Sequence, residues 1–197
     1  MHTFIIQESR IIYVDPQTFD ETGTRIYNAF DPRTTTSNAT AVTVDSLPPD
    51  FVPWQWTWDG GKPVIKTEYR DEWLGGIKSR KLAEINDAYQ VAIATLTPTY
   101  PDDERLTFDK QEQEARAWLA DSSTPTPFVD ALAAGRQMDK AELVSRIIAK
   151  ADAFALASGS LTGQRQRYED MLDVAETADA VAAIVPQYSL PGMEAQA

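Results

Sequence analysis

The spacing of hydrophobic residues changes near Gly75-Gly76, and this change divides the chain into two regions. Before it, short runs rich in Thr, Val, Ile and aromatic residues alternate with turn residues, a pattern typical of β-strands. After it, apolar residues recur every three or four positions among Ala, Glu, Lys and Arg, which is typical of helices. The sequence therefore predicts an α+β fold, in which a small N-terminal antiparallel β-domain is followed by a C-terminal helical bundle.

The same change sets the predicted domain boundaries. We expect a β-rich domain over residues 1–75, a helical domain over 76–186 and an irregular tail over 187–197. A flexible joint is predicted around residues 74–77, where the two compositions meet.

The first region contains six candidate strands, namely residues 3–7, 10–14, 26–30, 40–44, 50–58 and 63–69. Asp59-Gly60-Gly61 separates the last two, and Asp-Gly supplies the positive φ angles that a tight hairpin turn needs. Residues 31–39 are polar and contain Pro32, so they are predicted to form a loop.

The second region contains six candidate helices, namely residues 77–96, 109–120, a third from Pro127, a fourth from Asp139 to Gly159, 161–175 and a short one over 177–184. Thr126 is the predicted N-cap of the third candidate helix. Asp139 and Glu142 resemble a capping box, and Met138 and Leu143 have the spacing of a hydrophobic staple. The fourth helix is expected to bury five apolar residues: Leu143, Ile147, Ile148, Ala151 and Phe154.

Composition and charge limit the classes of partner. The hydrophobic fraction of 43% and the charged fraction of 24% are those of an ordinary globular protein. A formal net charge of −12 repels phosphate backbones and anionic lipid surfaces, so nucleic acid and membranes are not expected partners. No N-terminal targeting pattern and no run of about 20 apolar residues is visible, so a cytosolic protein is expected, unless a larger particle carries it out.

The residue types that catalysis and metal binding require are scarce. The chain has no cysteine and one histidine, His2. Thiolate nucleophiles, zinc–thiolate sites, Ser-His-Asp triads and multi-histidine metal sites are therefore excluded. Gly60-Gly61-Lys62 lacks the rest of a phosphate-binding loop. We predict no enzyme, no catalytic residue, no cofactor and no metal.

Two apolar patterns are candidate binding surfaces. Trp54, Trp56 and Trp58 alternate, so on a strand they share one face, which is either core or an exposed platform for a partner or a sugar. A second set lies on one face of the first helix: Leu82, Ile85, Tyr89, Ala92 and Leu96. This stripe either packs inside the helical domain or forms an oligomer seam or partner groove. The partner-binding candidates are Trp54, Trp56, Trp58, Leu82, Ile85 and Tyr89.

Several segments resemble bacteriophage and prophage tail fibre assembly proteins and related small tail proteins. In the helical region these are residues 81–86, 110–121, 124–127, 139–144, 149–154 and 161–166. Leu47-Pro48-Pro49 and residues 56–60 resemble the short β-meander at the front of those proteins. The resemblance covers roughly residues 45–184, and residues 1–44 have no counterpart.

The resemblance implies that this chain helps a tail fibre chain to trimerise. Some proteins of this kind are retained on the virion. It supplies no catalytic residue. The expected partner is a tail fibre or another tail protein, with homo-oligomerisation as a further expectation, and the expected location is the host cytoplasm during assembly or the virion tail. Two alternatives remain: a permanent structural component of the tail, baseplate or fibre tip, and a carbohydrate-binding module that uses Trp54, Trp56 and Trp58.

Overall fold

The computed structural model describes residues 2–7, 9–16, 18–19, 25–26, 40–97 and 99–190. Within them the chain forms seven strands followed by six α-helices, which confirms the predicted α+β class. The predicted loop over 31–39, most of the predicted strand over 26–30 and residues 191–197 of the predicted tail lie outside the described residues.

The strands are β1 (His2–Gln7), β2 (Arg10–Pro16), β3 (Thr18–Phe19), β4 (Arg25–Ile26), β5 (Thr40–Val44), β6 (Trp56–Asp59) and β7 (Lys62–Ile65). Five of them form one antiparallel sheet in the order β5-β1-β2-β6-β7, while β3 pairs with β4. The predicted hairpin joins β6 to β7, with positive φ at Gly60 and Gly61.

The chain divides into two compact units, residues 1–79 with 176–178 and residues 80–175 with 179–197. The core of the first unit consists of the buried residues Phe4, Ile6, Ile11 and Trp56. Phe51, Trp58 and Trp73 pack against this core. Phe51 connects two of these core residues through ring contacts: its centroid lies 5.3 Å from that of Phe4 and 5.5 Å from that of Trp56.

The helices are α1 (Thr67–Ala94), α2 (Asp102–Arg105), α3 (Phe108–Ala120), α4 (Pro127–Arg136), α5 (Lys140–Asp173) and α6 (Ala178–Ala182). In the described part of the chain, none of them combines the length and the hydropathy that crossing a bilayer requires.

Helix α1 begins ten residues earlier than predicted and continues through residues 74–77, so the predicted flexible joint is wrong. Two glycines together cost a helix roughly 2 kcal/mol relative to alanine, which lowers helix propensity without forbidding the helix. Trp73 offsets this cost: its ring packs 5.1 Å from that of Trp56, and its Nε1 donates to the Pro49 carbonyl at 2.7 Å. Tertiary contacts therefore fix the first turns of α1, where the sequence pattern indicated a boundary.

Helix α5 is a single helix of 34 residues, so the predicted break at Gly159 is wrong. Gly159 adopts helical geometry, and a Cβ built there would meet nothing within 4 Å. The predicted start of this helix is confirmed, because the Asp139 side chain accepts a hydrogen bond from the Glu142 amide at 3.0 Å. The reciprocal bond of a capping box does not form, since the Glu142 carboxylate pairs with Arg146 at 2.5 Å.

The two halves of α5 pack against different elements of the second unit. The first half forms a cluster with α3 and α4, made of Ala115, Val129, Ala133, Leu143, Val144 and Ile147. The second half meets α1, since Tyr89 Oη lies 3.1 Å from Thr162 Oγ1 and Arg165 donates to Asn86 Oδ1 at 3.1 Å. Between these halves, residues 152–156 are exposed.

Candidate partner-binding site

The three tryptophans of the first unit do not form one exposed row. Trp56 is 4% exposed and belongs to the core, and Trp58 is half-buried with its ring centroid 5.5 Å from that of Phe4. Trp54 precedes β6, in a 3-10 turn over Pro53–Gln55, and is 58% exposed. Of the two alternatives for these tryptophans, the core is supported for Trp56 and Trp58, whose indoles pack inward. Trp54 does not share their face, because the strand begins only at Trp56.

The stripe on α1 packs within the second unit. Ile85 is fully buried, while Leu82 and Tyr89 are partly buried. The Tyr188 hydroxyl donates to the Ile85 carbonyl at 3.0 Å, and the Tyr188 and Tyr89 ring centroids are 6.0 Å apart. These contacts support the intramolecular alternative for Ile85 and Tyr89 over an oligomer seam.

The second unit instead contains a wide groove with a volume of about 1480 Å³. It is lined by the C-terminal end of α1, the segment after it, α2, α3, α4 and the first half of α5. Its large apolar lining residues are Ile93, Leu96, Leu106, Phe108, Leu132, Leu143, Ile147 and Phe154. Leu106 is 82% exposed and Phe154 is 44% exposed, so the groove presents large apolar side chains to solvent. We refer to this feature as the apolar groove.

The period of α5 explains why its apolar face enters the groove. Leu143, Ile147, Lys150, Phe154 and Ala157 follow one another in steps of four and three, so they lie on one face. Helices α3 and α4 cover the beginning of this face, where Leu143 is fully buried. Phe154, three turns further on, has no such cover, and the prediction that it is buried is wrong.

Aromatic contacts hold the segment after α1 at the edge of the groove. Lys150 Nζ donates to Tyr100 Oη at 2.8 Å and lies 5.4 Å from the centroid of the Tyr100 ring. That ring in turn meets Phe108 edge-on, with centroids 5.1 Å apart. These contacts link the α1–α2 connection to both α3 and α5.

The sign of the charged residues that line the groove differs from one helix to another. On α2 and α3 they are mostly acidic: Asp102, Glu104, Asp109 and Glu112, together with Arg105, which pairs with Asp102 at 3.3 Å. On α4 and α5 they are all basic: Arg136, Arg146 and Lys150. Glu104, Asp109 and Arg136 form no ion pair with any other described residue.

A buried carboxylate joins α3 to α4 next to the groove. Glu114 is 6% exposed, and its Oε2 accepts the amide hydrogens of Phe128 and Val129 at 2.9 and 3.0 Å. Its Oε1 lies 3.1 Å from Lys110 Nζ. The carboxylate thus satisfies the free amides at the start of α4, the role predicted for Thr126. Thr126 occupies the N-cap position, but its buried hydroxyl makes no hydrogen bond to the described residues.

These contacts determine the titration of Glu114. Desolvation by itself raises the pKa, but the Val129 amide, the Lys110 ammonium and the Phe128 amide all stabilise the charged form. Their combined effect is larger, and the pKa of Glu114 is lowered from its ordinary value. Glu114 therefore remains ionised at neutral pH. No sequence motif identified Glu114 as the residue that caps α4, because its partners are backbone amides 14 and 15 residues away.

Within the described residues, no group of three or more His, Asp or Glu side chains is arranged to hold a metal ion. A family model described as the HI1402 helical domain matches residues 149–186, which contain the second half of α5 and all of α6. Comparisons with curated proteins and with solved structures gave no match. The family match covers the exposed middle of α5, including Phe154, and its description names no activity or partner.

Proposed function

We propose that this chain is a bacteriophage tail fibre assembly protein that acts without catalysis, by binding an apolar surface of the fibre polypeptide. The resemblance of residues 45–184 to such proteins supplies the identity of the partner. The apolar groove is the observation that carries the mode of action. Exposed apolar side chains in a concave surface commonly mark interaction sites, and Leu106 and Phe154 are both exposed residues that line the apolar groove.

The physical task of such a protein follows from how fibres fold. Fibre trimers are rich in β-structure with non-local pairing, and such chains fold slowly and expose apolar surface before they close. A soluble, strongly acidic partner that covers this surface keeps the intermediates apart. The net charge of −12 suits this role, because like charges limit association between complexes.

Substituting groove residues tests the proposal. We expect Leu106→Ser combined with Phe154→Ser to weaken binding of the fibre chain about tenfold or more, because exposed apolar anchors contribute most of the affinity of an interface. Pull-down of the fibre chain by each variant measures the binding. The yield of soluble fibre trimer, when the fibre gene is co-expressed with each variant, measures the effect on assembly.

Leu156→Ser is the matched control, since Leu156 is 67% exposed on the same helix and does not line the groove. This variant should support the wild-type yield. Equal trimer yields with and without the wild-type chain would refute the assembly function. Equal yields from the groove variant and the control would show that the apolar groove is not needed for that function.

Mass spectrometry of purified particles then distinguishes a transient assembly partner from a component retained on the tail. Absence of the chain from particles indicates release after assembly. Stoichiometric presence indicates retention, as in the alternative of a permanent tail component. The structure supports the carbohydrate-binding alternative less well, because Trp56 is buried and Trp54 lies outside the strand.

A further inference from the structure

The segment that follows α6 is bound along α5 through its backbone. Tyr168 Oη donates to the Gln187 carbonyl and accepts the Gln187 amide hydrogen, both at 3.0 Å. One turn earlier on α5, the Gln164 side chain pairs with Ser189 in the same way, donating to its carbonyl at 2.8 Å and accepting from its amide at 2.9 Å. Two side chains of α5 therefore each bind both backbone groups of one residue. We refer to residues 187–189 as the docked segment.

This pattern of hydrogen bonds is that of an extended chain. In an extended chain the amide and the carbonyl of one residue point to the same side, and those of the next residue point to the opposite side. Alternate residues of such a chain lie about 6.6 Å apart, and Gln164 and Tyr168 are separated by about 6 Å along the axis of α5. One turn of helix therefore matches two residues of an extended segment that runs antiparallel to it.

The central residue of the docked segment, Tyr188, inserts its side chain between α1 and α5. Its ring centroid lies 6.0 Å from that of Tyr89 and 5.8 Å from that of Tyr168. Its hydroxyl donates to the Ile85 carbonyl at 3.0 Å. The site thus combines backbone pairing along α5 with an aromatic pocket between the two helices. We refer to it as the tyrosine cleft, formed by Ile85, Tyr89, Gln164 and Tyr168.

We propose that the tyrosine cleft is a binding site for an extended segment of a partner polypeptide that carries an aromatic residue, and that the docked segment occupies the site until the partner replaces it. The four backbone hydrogen bonds do not depend on side-chain identity, so another extended segment can form them. Gln187 and Ser189 are exposed, so the cleft accepts other residue types at these two positions. Its selectivity lies in the aromatic pocket.

Replacement of the docked segment is favoured over its simple release. Tyr168 is 7% exposed with the segment in place, and release would bring its ring and that of Tyr89 into contact with solvent. Because burial of aromatic surface is favourable, an empty cleft is disfavoured, and a ligand with its own aromatic ring restores the burial. The docked segment is therefore a competitor that a partner has to displace.

A β-rich partner offers segments of this kind. Before a fibre trimer closes, its strands present unpaired backbone groups and exposed apolar side chains. A strand that pairs with Gln164 and Tyr168 has part of one edge covered, and its aromatic residue is covered by the pocket. This inference rests on the proposed function in so far as the partner is the fibre chain.

Peptide binding to the full-length chain tests the inference without the fibre protein. Two variants weaken the docked segment: Tyr188→Ala removes the ring from the pocket, and Ser189→Pro removes the amide that donates to Gln164. We expect a fluorescein-labelled peptide with the sequence of residues 184–190 to bind each variant about tenfold more tightly than the wild-type chain, in which the attached segment competes at a high effective concentration. Fluorescence anisotropy measures the binding, and far-ultraviolet circular dichroism verifies that both variants are folded. Equal binding by the wild-type chain and the folded variants would overturn the inference.

Changes on each side of the contact test the mode of recognition. Replacing the peptide's tyrosine with alanine, or methylating the two backbone nitrogens that correspond to Gln187 and Ser189, should each weaken binding about tenfold or more. Gln164→Ala, introduced together with Tyr188→Ala, should have the same effect. Gln166→Ala is the matched control, because Gln166 is exposed on the same helix. Peptide binding that is insensitive to both the methylation and Gln164→Ala would contradict backbone recognition by the cleft.

The two proposals fail separately. No binding of the peptide, together with a yield of fibre trimer that depends on Leu106 and Phe154, would refute the peptide site and leave the assembly function. Peptide binding that depends on Gln164, without any effect of the chain on fibre yield, would refute the assembly function and leave the peptide site.

Discussion

Trp56→Ala is expected to destabilise the sheet-containing unit by about 3–5 kcal/mol, the usual cost of truncating a buried tryptophan. Trp56 is 4% exposed and contacts both Phe51 and Trp73. Removing it separates the sheet from the first turns of α1. Because this cost is comparable to the whole stability of a small unit, we expect the unit to unfold or nearly so.

Urea denaturation followed by tryptophan fluorescence measures this effect, since Trp54, Trp56, Trp58 and Trp73 all lie in the first unit. Trp54→Ala is the control and should change the free energy of unfolding by less than about 1 kcal/mol, because Trp54 is 58% exposed. Trp56→Phe should cost less than Trp56→Ala, since it keeps most of the ring and the buried Trp56 Nε1 has no hydrogen-bond partner among the described residues. Similar losses for Trp54→Ala and Trp56→Ala would contradict this account of the core.

Glu114→Ala is expected to destabilise the helical unit by about 3 kcal/mol. The substitution leaves the amides of Phe128 and Val129 without their acceptor, and each unsatisfied amide costs about 1–3 kcal/mol. Thermal unfolding followed by far-ultraviolet circular dichroism reports this loss. Glu112→Ala is the control on the same helix: its partly exposed carboxylate pairs with Arg116 at the surface, and its removal should cost less than about 1 kcal/mol.

The pH dependence of stability provides a second test of Glu114. Its pKa is lower in the folded state than the ordinary value of 4.5. Its contribution is therefore complete above that value and is lost as the pH falls through the lower, folded-state pKa. In Glu114→Gln this part of the acid destabilisation should disappear. If the variant loses as much stability at acid pH as the wild-type chain does, Glu114 does not contribute to the acid destabilisation.

The sequence pattern predicted local features well where a few adjacent residues decide them. The α+β class, the turn at Gly60-Gly61 and the cap at Asp139 depend on periodicity or on residues within one turn. The start of α1 and the continuity of α5 were missed, because glycine lowers helix propensity without ending a helix, and distant contacts decide the outcome. Trp73 fixes α1 through Trp56 and Pro49, which are remote from it in sequence.

Candidate binding residues were harder to predict, because an apolar stripe has the same spacing whether a neighbour covers it or not. Leu143 and Phe154 lie on one face of α5, yet Leu143 is fully buried and Phe154 is 44% exposed. Only the positions of α3 and α4 distinguish them. Ile85 and Trp56, proposed as partner-binding residues from their patterns, are core residues for the same reason.

Hydrogen–deuterium exchange of the wild-type chain, alone and with the co-expressed fibre polypeptide, tests most directly whether the apolar groove is the surface on which this protein acts. The fibre chain should slow backbone exchange in the two segments that present Leu106 and Phe154, with little change in β6 and β7. Protection confined to the sheet-containing unit, or no protection in a complex that forms, would contradict the account.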